Sequence, residues 1–381
     1  MTSPHPALFE VSWEVCNKVG GVHTVISSKA QTVKSKLGDD YVAIGPWLLA
    51  ESDAERAFED EPGHESFCES CRSLGIPVRV GRWKIPGSPR TILVEFSRLY
   101  DTRDDLLAKL WDDFQVDSIS GGWDYIEPVL FGRAAGMVIE RWWEEYLAPK
   151  HKPAVVHAHD WTTGSALLYL KPRLPSIGTV FTAHATALGR ALASVGHSPT
   201  DGLDGRAPAE LAHEHEVAAK HSLEGVCARE ADVFTTVSEI TANEAELLHG
   251  RRPEPLLPNG IDMSVIDEIV AAHPRQAVRT RILEESHRFL GEDVSDATLC
   301  CLSGRYEFHN KGIDLLIEAA GDLNRGDGKR LVLFLLVPAG NSGIRAEVRE
   351  RRQMALDQFS GPLGLATHNL FDEADDAIRV H

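Results

Sequence analysis

Short apolar runs alternate with longer amphipathic stretches along most of this chain. Residues 8–13 form a short apolar run and predict a buried strand, whereas apolar residues recur at helical spacing from Val22 and predict a helix that stops at Gly38. The alternation is most regular between residues 154 and 249. There it predicts strands at 154–159, 178–184 and 231–237 and helices at 163–170, 213–229 and 239–249. Strands that alternate with helices indicate an α/β fold with a parallel sheet covered on both faces.

A second α/β pattern follows a mostly helical stretch. It predicts strands at 297–303 and 331–337 and helices at 311–323 and 345–359. We therefore divide the chain into an N-terminal Rossmann-like domain (1–262), a helical connector (263–295) and the start of a second Rossmann-like domain (296–381). The second domain holds only about two strand–helix units, fewer than a nucleotide-binding domain usually has, and is predicted to be incomplete.

The turn between the first strand and the first helix carries the most suggestive local chemistry. Its sequence is Asn17-Lys18-Val19-Gly20-Gly21. Adjacent glycines let a ligand approach the backbone closely, a helix N-terminus favours an anion, and Lys18 could add a charge for a phosphate. An ordinary strand–helix turn is the alternative, and the residues alone leave both open. The spacing is not GxGxxG, so it does not indicate a dinucleotide cofactor.

Charge and composition exclude several classes of function. The 381 residues carry a formal net charge of −18, which argues against a nucleic-acid or anionic membrane partner. The N-terminus lacks a basic region followed by an apolar one, and no apolar run approaches the roughly 20 residues needed to cross a bilayer. Six scattered cysteines fit reduced thiols. These features together predict a cytoplasmic protein.

Polar residues gather where predicted strands end. His157, His159 and Asp160 close one strand and His184 closes the next, at the sheet edge where ligands of α/β proteins collect. The two histidines of the first strand share a face only if that strand stays regular to its end. No third ligand follows at a recognisable metal spacing, so we expect no metal to bind.

Several long segments resemble the eukaryotic-type glycogen synthases, in the same order over nearly the whole chain. The segments are LFEVSWEVCNKVGGVHTVISSKA (8–30), VHAHDWTTG (156–164), FTAHATALGRAL (181–192), AREADVFTTVSEITANEAELL (228–248), PNGID (258–262), SGRYEFHNKGIDLLIEAAGDLN (303–324) and ATHNLFDEADDAI (366–378). The resemblance implies a GT-B architecture of two facing Rossmann-like domains. It also implies retaining transfer of glucose from UDP-glucose, a donor substrate and not a cofactor, to the non-reducing end of glycogen or another α-1,4-glucan.

The resemblance also assigns roles to single residues. It places Arg305 and Lys311 on the donor pyrophosphate, and His184 beside the transferring glucose, where it helps stabilise a cationic transition state. These three are the candidate catalytic residues. The candidate substrate-binding residues are Lys18, Gly20 and Gly21 on the opposite wall of the cleft, Asp160, and Asn259 within PNGID.

The chain departs from the family pattern in one respect. The family carries two glutamates late in its second domain, in a segment like YEPWGYTPAE, and neither this segment nor the basic residues that sense glucose 6-phosphate occur here. Two alternatives therefore stay open: a truncated, non-catalytic protein that binds glucan or another subunit, and a related retaining glucosyltransferase with another acceptor. A homo-oligomer and a glycogenin-like primer protein are further partners compatible with the resemblance.

Overall fold

The structure is a computed structural model that describes residues 5–48, 56–199, 203, 205–326 and 328–381. The chain divides into two compact units. The first comprises residues 1–192 and 197–261, and the second comprises 193–196 and 262–381.

The first unit is built on a sheet of eight strands in the order β3-β4-β5-β2-β1-β6-β7-β8. The strands are β1 Ala7–Val11, β2 Tyr41–Pro46, β3 Phe58–Asp60, β4 Val78–Trp83, β5 Arg90–Val94, β6 Ala154–His159, β7 Gly178–Ala183 and β8 Val233–Thr236. Pairing is parallel from β5 through β2, β1, β6 and β7 to β8, which confirms the predicted α/β fold with a parallel sheet. At one end of the sheet, β4 pairs antiparallel with the edge strand β3 and with β5, to which a short turn at residues 84–89 joins it.

Helices α1 to α9 connect or cover these strands. They are α1 Gly21–Leu37, α2 Glu65–Ser73, α3 Arg103–Phe114, α4 Trp123–Trp142, α5 Trp161–Leu170, α6 Ala187–Ser194, α7 Pro208–Glu214, α8 Ala218–Glu230 and α9 Glu239–His249. The helix predicted at 213–229 is wrong at its start. Glu216 adopts a left-handed φ of 58°, which ends α7 and separates it from α8.

The core of the first unit lies on both faces of the central strands. Phe9 on β1 and Phe181 on β7 are fully buried on one face, and Ala43 on β2 is fully buried on the other, as expected for parallel strands covered by helices. Helices α4 and α5 pack closely: a Cβ added at Gly132 would lie 2.2 Å from the Ser165 hydroxyl oxygen. The polar residues that interrupt this core are therefore the exceptions that need an explanation.

The second unit contains two small sheets. Its strands are β9 Thr298–Ser303, β10 Leu331–Leu336, β11 Asn341–Ile344 and β12 His368–Leu370, with β9 and β10 parallel and β11 and β12 antiparallel. Its helices are α10 Met263–Ala272, α11 Arg275–Leu290, α12 Ile313–Leu323, α13 Ala346–Arg351 and α14 Ala377–Val380. The helix predicted at 345–359 ends early, at Arg351. Within the part of the chain that the structure describes, every helix is too short or too polar to cross a lipid bilayer.

Candidate active site at the ends of the central strands

A buried carboxylate lies at the centre of the large sheet. Glu10 on β1 is fully buried. Its Oε1 lies 2.5 Å from the Lys29 ammonium nitrogen of α1, and its other oxygen accepts a hydrogen bond from the Tyr41 hydroxyl of β2. Burial alone would raise the pKa of Glu10, but Lys29 and a hydrogen bond from His159 hold it well below its ordinary value. Glu10 is therefore an ionised group that can only accept hydrogen bonds.

Two histidines of β6 face this carboxylate. Strand β6 stays regular through His159, so His157 and His159 share one face and their ring centroids are 4.2 Å apart. His159 Nε2 lies 2.8 Å from Glu10 Oε1. Burial lowers the pKa of His157 to about 4 and that of His159 well below its ordinary value, although Glu10 opposes the shift in both. Both rings are neutral near neutral pH.

A third potential metal ligand lies beside the two histidines. It is Glu10, which comes from the neighbouring strand and not from a spacing along the chain, and the ligand atoms of all three side chains lie within 4.8 Å of one another. However, the Lys29 ammonium already neutralises Glu10. We describe the cluster as a buried ion-pair network, and the expected absence of a metal stays a prediction.

Asp160 and His184 continue the network toward the strand ends. Asp160 precedes α5 with a left-handed φ of 58°, which is uncommon for a residue with a side chain. Its Oδ1 accepts a hydrogen bond of 2.8 Å from the backbone N–H of His184. The half-buried His184 ring reaches back to the sheet, where its Nε2 lies 2.9 Å from His159 Nδ1. The structure therefore brings two of the predicted site residues together, and Asp160 fixes the position of His184.

In the glycine turn, a protein carboxylate occupies the predicted anion position. Glu14 Oε2 accepts hydrogen bonds from the backbone N–H groups of Gly20 (2.7 Å) and His23 (3.0 Å) at the start of α1. Lys18 and Gly21 are exposed, and a Cβ added at Gly21 would meet no atom within 4 Å. The turn has the geometry of an anion site.

Asn259 lies in the segment that follows the sheet of the first unit. Its side chain is exposed, and the carbonyl oxygen of the next residue, Gly260, accepts a hydrogen bond of 3.3 Å from the Ser28 hydroxyl of α1. The segment thus runs beside the helix that begins at the glycine turn. No described contact joins Asn259 to His184 or Asp160, so its predicted role in substrate binding stays a prediction.

Arg305 and Lys311 belong to the second unit, in the turn after β9. The Arg305 guanidinium pairs with Glu307 at 2.7 Å, and the Lys311 stem lies along Gly304, where an added Cβ would be 3.5 Å from Lys311 Cδ. Both cations are exposed. Sequence reasoning did not identify Glu307. Its carboxylate partly neutralises the Arg305 guanidinium, and this ion pair must rearrange if the guanidinium binds a pyrophosphate.

Sequence reasoning also missed Glu10, Lys29 and the link from His159 to His184. One signal was available: a glutamate inside an apolar strand is costly unless it is paired. The strand positions that pair with it could not be found without the register, in which Glu10 lies opposite His157.

The fold and the site define an α/β protein whose polar site lies at the carboxyl edge of a parallel sheet, where such folds bind ligands. The family model described as "Glycogen synthase" matches residues 10–358. A glycogen [starch] synthase of Neurospora crassa is 32% identical over 356 residues, which cover 89% of this chain and 49% of that protein. Isoform 2 of the Saccharomyces cerevisiae glycogen [starch] synthase is 31% identical and covers 89% of this chain and 51% of that protein.

The chain therefore belongs to the glycogen synthase family. It spans about half the length of the curated relatives it matches. Among solved structures, the catalytic domain of starch synthase IV from Arabidopsis thaliana matches with a TM-score of 0.49 and 17% identity, covering 88% of this chain and 69% of that chain. The facing arrangement of two domains stays a prediction.

Proposed function

We propose that this chain forms the acceptor-side domain and part of the donor-binding domain of a UDP-glucose-dependent glycogen synthase. The reaction is retaining transfer of glucose to the non-reducing end of an α-1,4-glucan. The observation that carries the proposal is His184, which Asp160 and His159 hold at the carboxyl edge of the parallel sheet in a chain of this family.

The chemistry of the proposed reaction suits the groups in each unit. Loss of UDP places negative charge on the leaving diphosphate and positive charge on the glucosyl group. Arg305 and Lys311, both exposed beside the end of β9, would stabilise the diphosphate. In the glycine turn, Lys18 and Gly21 are exposed, whereas the Gly20 N–H could bind a phosphate only in exchange for Glu14. The His184 ring, whose Nε2 contacts His159, would present its other ring nitrogen to the sugar as a polar group.

The remaining parts of the proposal concern partners and location. UDP-glucose is the donor substrate, glycogen or a similar glucan is the acceptor, and no metal or other cofactor takes part. We place the protein in the cytoplasm, and a homo-oligomer or a glycogenin-like primer protein fits the same function.

An assay of the native protein, purified from cells that express it, tests the proposal. Its intact mass is compared with the 41.9 kDa of this chain, and UDP release is measured with UDP-glucose and glycogen. We expect glycogen-dependent UDP release and longer glucan chains. UDP release without elongation of any glucan would favour another acceptor, and a native protein with neither activity would contradict the proposal and favour the non-catalytic alternative.

A further inference from the structure

The hydrogen bonds around Glu10 form a continuous path to His184. We propose that Glu10 is a positioning residue that, through His159, fixes which ring nitrogen of His184 carries its proton. In this assignment His184 is protonated on Nε2 and presents the unprotonated Nδ1 as a hydrogen-bond acceptor. The role of that acceptor in catalysis rests on the proposed function, whereas the assignment of the proton does not.

The first step of the path fixes the proton of His159. Glu10 Oε1 receives the Lys29 ammonium at 2.5 Å and His159 Nε2 at 2.8 Å. An ionised carboxylate has no proton to donate, so His159 Nε2 must carry the hydrogen of this contact. A lone pair there would face the carboxylate and leave two buried acceptors opposed, which is strongly unfavourable.

The second step passes the constraint to His184. A neutral histidine protonated on Nε2 has an acceptor at Nδ1, and burial keeps the pKa of His159 low, so the ring holds no second proton. Since His159 Nδ1 lies 2.9 Å from His184 Nε2, the hydrogen of that contact belongs to His184. The tautomer of His184 is thereby set by a carboxylate two contacts away.

The third step identifies the atom that is left for a ligand. The backbone N–H of His184 is bound to Asp160 and its Nε2 to His159. Among the described residues no hydrogen bond reaches Nδ1. Since Nδ1 does not belong to the buried atoms that lack a partner, it is accessible to solvent. Whenever the half-buried ring carries a single proton, Nδ1 is the acceptor that it offers to a hydroxyl group of a bound sugar.

The Lys29 contact also selects the variants for a test. In Glu10→Gln, only the amide oxygen can face the Lys29 ammonium, because two donors would oppose each other. Since the same oxygen position receives His159 Nε2, this variant preserves the path. In the double variant Glu10→Leu/Lys29→Met the acceptor disappears together with its counter-ion. Replacing a buried ion pair by apolar residues of similar size is generally tolerated. In Glu10→Gln the Lys29 ammonium loses its counter-charge, but it keeps an oxygen acceptor and its side chain is 35% exposed to water.

The decisive measurement is the ¹⁵N chemical shift of the His159 and His184 ring nitrogens in the whole chain, near neutral pH. We expect both rings to be protonated on Nε2 in the wild type and in Glu10→Gln. In the double variant either His159 Nδ1 or His184 Nε2 can donate the hydrogen bond between the two rings. We therefore expect the ¹⁵N shifts of both rings to move toward those of a mixture of tautomers. A wild-type His184 protonated on Nδ1, or unchanged shifts in the double variant, would overturn the proposal.

Kinetics of the native enzyme carrying the same substitutions separate positioning from general damage. We expect the double variant to lose turnover by roughly 10- to 100-fold, the usual cost of removing a partner that orients a site residue, while the KM for UDP-glucose changes little. Glu10→Gln should retain most turnover. An equal loss in both variants would contradict the positioning role. A wild type without transferase activity but with the expected ¹⁵N shifts would refute the proposed function and leave the proton assignment standing.

Discussion

His221 provides the sharpest test of the electrostatics of the first unit. The side chain is only 9% exposed on α8, its ring stacks on His249 at 4.9 Å, and its Nδ1 has no hydrogen-bond partner among the described residues. Burial, with smaller contributions from the neighbouring His249 and Arg229, lowers the pKa of His221 to about 4. His221 therefore binds a proton at a lower pH in the folded protein than in the unfolded chain, where its pKa has the ordinary value of about 6.5.

The sign and size of the effect follow from linkage. Because the unfolded state binds the proton first, stability is full above pH 6.5 or so and falls as the pH drops toward 4. About 1.4 kcal/mol accompanies each pH unit in which only the unfolded state is protonated, so His221 costs about 2 kcal/mol between roughly pH 7 and pH 5. His157 shifts in the same direction and adds a similar loss.

The perturbation is His221→Phe, which keeps a flat ring on His249 and has room beside it in a cavity of about 220 Å³. We expect urea unfolding to show a pH-dependent loss of stability about 2 kcal/mol smaller than in the wild type over this range. His197→Gln, which removes an exposed histidine, is the control and should leave the wild-type dependence. If His221→Phe loses as much stability as the wild type, His221 is protonated in the folded state and the reasoning fails.

Three further predictions concern the site. His184→Ala should lower turnover with UDP-glucose far more than it lowers donor affinity in steady-state kinetics; the reverse pattern would indicate a binding role. Arg305→Ala should remove most UDP-glucose transfer. Arg305→Lys should restore little of it, because an ammonium cannot donate the two parallel hydrogen bonds that a guanidinium donates to a diphosphate. Full turnover in the alanine variant would refute the assignment of Arg305 to the pyrophosphate. Glu14→Gln should lower the free energy of unfolding by about 1 kcal/mol, since the start of α1 loses its charged acceptor; the exposed Glu59→Gln is the control in the same urea titration, and equal stability of the two variants would contradict the capping role.

The strands were predictable because their signal is local. Apolar runs between turn residues identified 154–159 and 178–184 almost exactly as β6 and β7. The register then brought Asp160 and His184 together at one edge, as parallel strands require. The break between α7 and α8 was not predictable from apolar periodicity, because it depends on the backbone conformation of one polar residue, Glu216.

The polar network was not predictable, because its members come from separate elements. Glu10 and Lys29 lie 19 positions apart, and His159 follows Glu10 by 149 residues, so only the folded sheet and α1 unite them. Glu14 illustrates a different difficulty. Its distance from Gly20 along the chain is short, but whether a loop carboxylate turns toward a helix start depends on the exact path of the backbone.

The Glu14 carboxylate at the start of α1 has a consequence for discrimination among anions in a cell. Any anion that binds there does so by exchange, since Gly20 and His23 already donate to Glu14. An incoming anion would accept the same two hydrogen bonds, worth about 1.5–3 kcal/mol each to a charged group, so the exchange by itself yields little net gain. An anion that binds only at these two N–H groups must compete with a carboxylate that the chain already holds in place. A ligand that is also held elsewhere brings further binding energy, so the turn favours such a ligand over a small free anion.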